Sequence, residues 1–282
     1  MQRVIDLNHP DYTKKATVYL NPEKPVRAAV LYFHGGGLLY GEREDLPKAH
    51  IEAFTGAGLA VIAFDYPLAP AADLDTILSD VRASAKCYIE YPEIFGLDSL
   101  PYFLWGRSAG AYLALMIAAS EDLPTPPAGI LSYYGYGFLT DRWDTTPSPY
   151  YAGLPQVSKD AFDAVPQTVH ADGPMATHYS LYVYARQTGS WRRLIYKGRD
   201  KFFYLNDSLR NVTSLPAPLF AAHAIADPDV PFAEFTALCN QFNPQRFVAA
   251  GNVHDFDRET NTPAAKDVLK KSLAFVDSCL NA

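Results

Sequence analysis

Apolar and polar positions alternate in two different periods along this chain, and the switch between them outlines the fold. Residues 2–7 and 16–20 read as short strands around a turn at 8–11. Residues 27–33 form a continuous apolar run, which predicts a strand covered on both faces. A helix is expected at 45–54, closed by Gly56 and Gly58, and a second buried strand at 59–64. Residues 73–89 carry Leu74, Ile77, Leu78, Val81 and Ala85 on one helical face. A third buried strand follows at 101–105, with its proline at the start, where a missing N–H does least harm. Residues 108–119 are apolar nearly all round, so that helix should be buried, and 128–134 read as a fourth buried strand.

Steady alternation of strand and helix implies parallel strands joined by crossover helices. The rhythm resumes with a strand at 217–223, a helix at 232–242, a strand at 246–249 and a helix from about 263 to 280. Between the two blocks, residues 135–215 break it. That stretch is rich in Tyr, Pro, Trp and Arg and is read as an insertion, a partly helical lid over the strand ends, within one domain spanning 1–282.

Composition narrows the partners. With 282 residues, 49% hydrophobic and 20% charged, the chain can bury a sizeable core. A net charge of −7 argues against nucleic acid, whose phosphates want a basic face. The three cysteines are few and far apart, with no Cys-x-x-Cys pair, so free thiols are expected and no metal site. The N-terminus lacks the apolar run of a signal peptide, and no stretch is long enough to span a membrane. A cytoplasmic protein acting on a small molecule is the expectation, with a homodimer left open.

The chemistry is carried by glycine-rich turns at strand ends. Gly106-Arg107-Ser108-Ala109-Gly110 is a weak pattern by itself, but here it lies directly between a buried strand and a buried helix. A nucleophile elbow needs that setting: small neighbours allow a sharp turn that pushes the serine Oγ out, with a helix N-terminus behind it. The plainer reading is a Gly-rich turn with a serine cap. His34-Gly35-Gly36-Gly37 also ends a buried strand. Acyl transfer needs N–H donors aimed at a developing oxyanion, and the backbone approaches closely only where side chains are absent. Gly36, Gly37 and Ala109 are the expected donors. No Lys-Ser/Thr follows the glycines, so a phosphate loop is not supported.

A serine needs a base, and the base an orienting acid. His254 lies in a short loop after the last strand; His223, its competitor, lies inside an apolar strand. Asp227 follows the strand at 217–223, with Asp229 as its alternative, and Asp255 reads as a loop carboxylate. The order Ser108, Asp227, His254 is that of hydrolases with a nucleophile elbow.

These residues resemble the hormone-sensitive-lipase-like, or acetyl-esterase-like, branch of the α/β-hydrolase family. The resemblance rests on the 34–37 loop, the Asp65-Tyr66-Pro67-Leu68-Ala69-Pro70 segment, the 106–110 elbow, the 227–231 segment and the His254 loop. It implies an α/β fold with a mostly parallel sheet of about eight strands, a covering lid and esterase activity without a cofactor. The family usually has Arg and Glu where Pro67 and Ala71 stand, which puts local anchoring in doubt. Only about 26 residues precede the first buried strand, so substrate cover is expected from the insertion.

The insertion's aromatics read either as a pocket or as glue to the body. Its Arg186, Arg192, Arg193, Lys197, Arg199 and Lys201 read either as a basic rim for an anionic substrate or as a solvated face. Leu38, Tyr182 and Trp191 are the candidate substrate contacts. The reaction expected is hydrolysis of short-chain carboxylic esters through an acyl-enzyme, with activity falling below neutral pH as His254 protonates. Amide, peptide, formamide or lactone cleavage is the alternative on the same machinery, and a non-catalytic ligand-binding scaffold the rival of another class.

Overall fold

A computed structural model describes residues 1–7, 9–120 and 122–282. Eight strands form one sheet: β1 (Gln2–Asp6), β2 (Lys15–Tyr19), β3 (Ala28–Phe33), β4 (Leu59–Phe64), β5 (Tyr102–Arg107), β6 (Gly129–Tyr133), β7 (Leu219–Ala224) and β8 (Gln245–Ala249). Their order is β1-β2-β4-β3-β5-β6-β7-β8. β1 and β2 pair antiparallel; every pairing from β4 to β8 is parallel. Leu31 in β3 sits opposite Ile62 on one side and Leu104 on the other, so β3 lies mid-sheet.

Helices cover both faces. They are α1 (Lys48–Gly56), α2 (Leu74–Glu90), α3 (Ala109–Ala118), α4 (Pro149–Ala152), α5 (Met175–Thr188), α6 (Trp191–Ile195), α7 (Asp200–Asn206), α8 (Phe232–Phe242) and α9 (Pro263–Leu280). Along β3 the side chains divide by parity. Ala29, Leu31 and Phe33 join the core under α2, α3 and the insertion, while Ala28, Val30 and Tyr32 join the core with α1 and α9. This is the period-two rule acting on a strand buried on both sides, which is why it reads as one unbroken apolar run.

The helix expected from Asp45 begins instead at Lys48. Pro47 stands at its N-cap in an extended conformation, and Arg43–Asp45 form a separate 3-10 turn. Asp73 caps α2, accepting the Thr76 N–H at 3.0 Å. β5 runs two residues further than its apolar stretch, through Gly106 and Arg107, and so carries the chain directly into the serine turn. Between β6 and β7 the chain leaves the sheet and forms α4 to α7.

Candidate active site

Ser108 occupies the turn between β5 and α3 with φ 52° and ψ −119°, a conformation that costs a non-glycine residue energy. The surroundings hold it there. Its N–H donates to Tyr133 O at 2.9 Å, and its own carbonyl accepts the N–H groups of Ala111 and Tyr112. The flanking glycines are required by contact: a Cβ on Gly106 would meet the Gly110 carbonyl carbon at 2.0 Å, and one on Gly110 would meet Phe33 O at 2.0 Å. Strand, turn and helix are thus pressed against β3 with no room for a side chain.

His254 comes from the loop after β8. Its Nδ1 donates to Asp227 Oδ2 at 2.7 Å, and its Nε2 lies 2.8 Å from Ser108 Oγ. The other oxygen of Asp227 accepts the N–H groups of Asp229 and Val230 at 2.9 and 3.0 Å. Burial disfavours the imidazolium of His254, but the Asp227 carboxylate, with Asp229 and Asp255 further off, outweighs it and pushes the pKa up to about 9. Burial likewise works against the Asp227 carboxylate, yet its histidine and amide partners hold it below the usual range. His223 is buried beneath. Its Nε2 donates to Val230 O at 3.0 Å and lies 3.4 Å from Asp227 Oδ2, so it braces the turn that carries the acid.

The structure therefore brings Ser108, His254 and Asp227 into one hydrogen-bonded chain and puts Asp229 elsewhere. Asp229 accepts the hydroxyls of Tyr151 and Tyr182 and the Nε of Arg186 at 3.1 Å.

The glycine loop packs against the elbow, where a Cβ on Gly35 would lie 3.4 Å from Ser108 Cβ. Gly36 and Gly37 have φ of 104° and 58°. Among the described residues, the N–H groups of Gly36, Gly37 and Ala109 donate to no protein acceptor. The loop is fastened through its carbonyls instead. Gly36 O accepts from Leu39 and Tyr40, Leu38 O accepts from Ala69, and Gly37 O accepts Trp191 Nε1 at 2.7 Å. Tyr66 OH donates to His34 O at 2.9 Å, and Asp65 accepts Arg43 Nη1 at 2.7 Å. The segment that lacks the family's usual Arg and Glu is anchored by these contacts. His34 is fully buried and stacked on Tyr66, a structural placement.

A match to the α/β-hydrolase fold covers residues 30–194, more than half the chain and all of the glycine loop and elbow. The chain belongs to that family. It is similar to esterase LipI of Mycobacterium tuberculosis, 31% identical over 131 residues, covering 44% of this chain and 41% of LipI. It is also similar to kynurenine formamidase of Danio rerio, 34% identical over 113 residues, covering 38% of this chain and 36% of that enzyme. The chain thus spans less than half the length of these curated relatives. A solved structure, a protein of unknown function from Staphylococcus aureus subsp. aureus Mu50, superposes with a TM-score of 0.84 at 28% identity and covers 99% of both chains.

A cavity of about 230 Å³ opens on Ser108 and His254. Its walls include Gly36, Gly37, Tyr40, Tyr134, Met175 and Tyr182. Of the three expected substrate contacts only Tyr182 lines it. Leu38 is fully buried in the core despite its φ of 63°, and Trp191 spends its indole on Gly37. The expected basic rim is not built from the insertion either. Arg186 and Arg192 are buried against Asp229 and Asp144, and Arg193, Lys197, Arg199 and Lys201 are exposed outside the cavity wall. The cations that face the cavity are Arg107 and Arg258, accompanied by Glu42, Asp45, Asp229 and Asp255. Arg107 is the residue that sequence reasoning passed over. A charged side chain inside an otherwise small and apolar turn was the available signal. Among the described residues no cluster of His, Cys, Asp or Glu is suited to a metal, and no helix is long and apolar enough to cross a membrane.

Proposed function

We propose that the chain is a serine hydrolase that cleaves carboxylic esters of small acyl groups, with Ser108 as nucleophile, His254 as general base and acid, and Asp227 as its orienting carboxylate. The observation that carries this reading is the single imidazole of His254 bonded to Asp227 through one nitrogen and facing Ser108 Oγ at 2.8 Å through the other. Ser108 Oγ attacks the ester carbonyl while its proton passes to His254 Nε2. The tetrahedral oxyanion is received by the free N–H groups of Gly36, Gly37 and Ala109. Collapse breaks the C–O bond, and the alkoxide leaves with the proton from His254. Water then attacks the acyl-enzyme, giving its proton to His254; the bond from the acyl carbon to Ser108 Oγ breaks, His254 returns the proton to Oγ, and the carboxylic acid departs. The residues 135–215 serve as the cover of the site.

The likeness to esterase LipI supports the ester reading. The cavity's small volume supports short acyl groups. The test is hydrolysis of p-nitrophenyl esters from acetate to decanoate, with Ser108→Ala alongside. Turnover of the short esters that vanishes in the variant is expected. An unchanged rate in the variant would remove Ser108 from the mechanism. A second reading, cleavage of an N-formyl amide by the same groups, is favoured by the likeness to kynurenine formamidase. An N-formylarylamine assayed in parallel separates the two by the ratio of kcat/KM.

A further inference from the structure

The residue before the serine and the loop that carries the histidine are joined by a buried ion pair. Arg107 closes β5, and Asp257 lies three residues beyond His254; both are at most 2% exposed. Arg107 Nη2 donates to Asp257 Oδ1 at 3.1 Å. Tyr134 OH donates to the same oxygen at 2.7 Å and accepts Arg107 Nε at 2.6 Å, so the three side chains close a triangle. His50 Nε2 lies 3.1 Å from Asp257 Oδ2. Burial opposes the Asp257 carboxylate, but Arg107 and His50 hold its pKa far below the usual range.

The loop needs such an anchor. Residues 250–262 contain no helix or strand, and Gly251, Asn252 and Val253 are exposed. The imidazole meets the edge of the Tyr134 ring, with centroids 4.7 Å apart. The same ring packs on Phe256 at 5.7 Å. Tyr134 therefore touches the imidazole with its ring and is itself held by its hydroxyl. A buried ion pair is a poor source of net stability. What this one supplies is a fixed separation between the chain at 107 and the chain at 257.

We propose that Arg107, Asp257 and Tyr134 are positioning residues that hold the His254 ring in line between Ser108 and Asp227. This rests on the serine-hydrolase reading above. None of the three exchanges a proton in the reaction; they act through the place they give His254. The charged and titratable groups that surround that ring are Asp227, Asp229, Asp255 and His223. Loosening the ring weakens its bond to Asp227, the contact that raises its proton affinity. The proposal thus links rate to the protonation midpoint of His254, and Tyr134→Phe, which leaves every charge in place, reads that link free of any change in the Coulomb field of the ion pair.

The experiment is the pH dependence of Ser108 labelling by a fluorophosphonate, in the wild type, Asp257→Asn and Tyr134→Phe, with thermal melts alongside. For folded Asp257→Asn the labelling rate is expected to fall about 10- to 100-fold, the scale of a misplaced catalytic group. Its midpoint should move down from that of the wild type, and KM for p-nitrophenyl acetate should stay within about twofold. Tyr134→Phe keeps the ring edge and the ion pair, so it decides the matter should Asp257→Asn fail to fold. A loss of about threefold or more with a lowered midpoint is expected there. Wild-type rate and midpoint in either folded variant would overturn the proposal. A wild type that resists labelling altogether would instead sink the serine-hydrolase reading on which it stands.

Discussion

Tyr182 joins the two loops of the site: its hydroxyl donates to Asp229 Oδ2 at 2.7 Å, and its ring edge occupies the space that a Cβ on Gly37 would take. One side chain of α5 therefore bears on both the glycine loop and the turn that carries Asp227. Arg186 and Tyr151 add to the grip on Asp229, and Trp191 to that on Gly37. The inner helix of the insertion is a fixed wall of the cavity. Tyr182→Phe leaves a buried carboxylate one donor short, which costs about 1–3 kcal/mol. It should appear as a lower urea midpoint with an unchanged m value, and as a reduced kcat.

Gly37 tolerates no side chain. Its φ is 58°, and an added Cβ would come within 2.1 Å of the Tyr182 ring. Gly37→Ala should displace an oxyanion donor and lower kcat by about 10²–10³. Gly56, at the end of α1, has open space around it. Gly56→Ala is the control: activity as in the wild type, and a melt as high or higher, by about 0.4–1 kcal/mol. Steady-state kinetics on p-nitrophenyl acetate read both.

The acid limb of the pH profile is expected to lie higher than the neutral value of an ordinary histidine. Asp227 favours the imidazolium and pushes His254 up to about 9, whereas the base must be neutral to act. kcat/KM should therefore rise about tenfold per pH unit up to a midpoint near 9. Asp227→Asn should return the midpoint toward about 6.5 while lowering kcat by roughly 10⁴. Stability runs the other way. A raised histidine pKa adds stability that is complete below about pH 6.5 and is lost as pH rises through 9. The depressed Asp227 adds stability present above about pH 4 and lost on acidification. The gap between melts of the wild type and Asp227→Asn should narrow, without closing, as pH rises through 9, because the histidine contribution is lost there while that of the carboxylate stays.

Reversing Lys197, Arg199 and Lys201 to glutamate should leave the ratio of activities on anionic and neutral esters unchanged, because these exposed residues stand outside the cavity wall. A change in that ratio would show that the insertion's cations reach the substrate. Surface changes of this kind usually move stability by no more than about 0.5 kcal/mol.

The elements that read correctly from the chain are those whose faces are decided by burial. β3 and β4 are apolar without interruption because helices cover both sides, and Ser108 directly follows β5, where glycines mark the turn. α1 starts at Lys48 rather than Asp45 because Pro47 sets the boundary. Of the three candidate contacts, Tyr182 alone lines the cavity. Leu38 follows a glycine loop in sequence, yet its positive φ turns it into the core. Nothing local to the chain at Arg107 or Tyr134 announces Asp257, which is 150 and 123 positions away, so that triangle exists only at the level of tertiary structure.

The parallel pairing of β5 with β3 and β6, and of β7 with β8, has a consequence for how the protein is made. The groups that line the cavity at Ser108 are scattered from Gly35 to Arg258, and the sheet that carries them pairs β3 with β5 and β6 with β7 across long stretches of chain. Such pairings form slowly, because long loops must close before the contacts are gained. A nascent fragment that ends at Tyr134 holds the glycine loop and the serine but still lacks Tyr182, Asp229 and His254 of the cavity wall. Reactivity of the serine therefore reports completed assembly, and its return after dilution from denaturant should trail the recovery of helical signal.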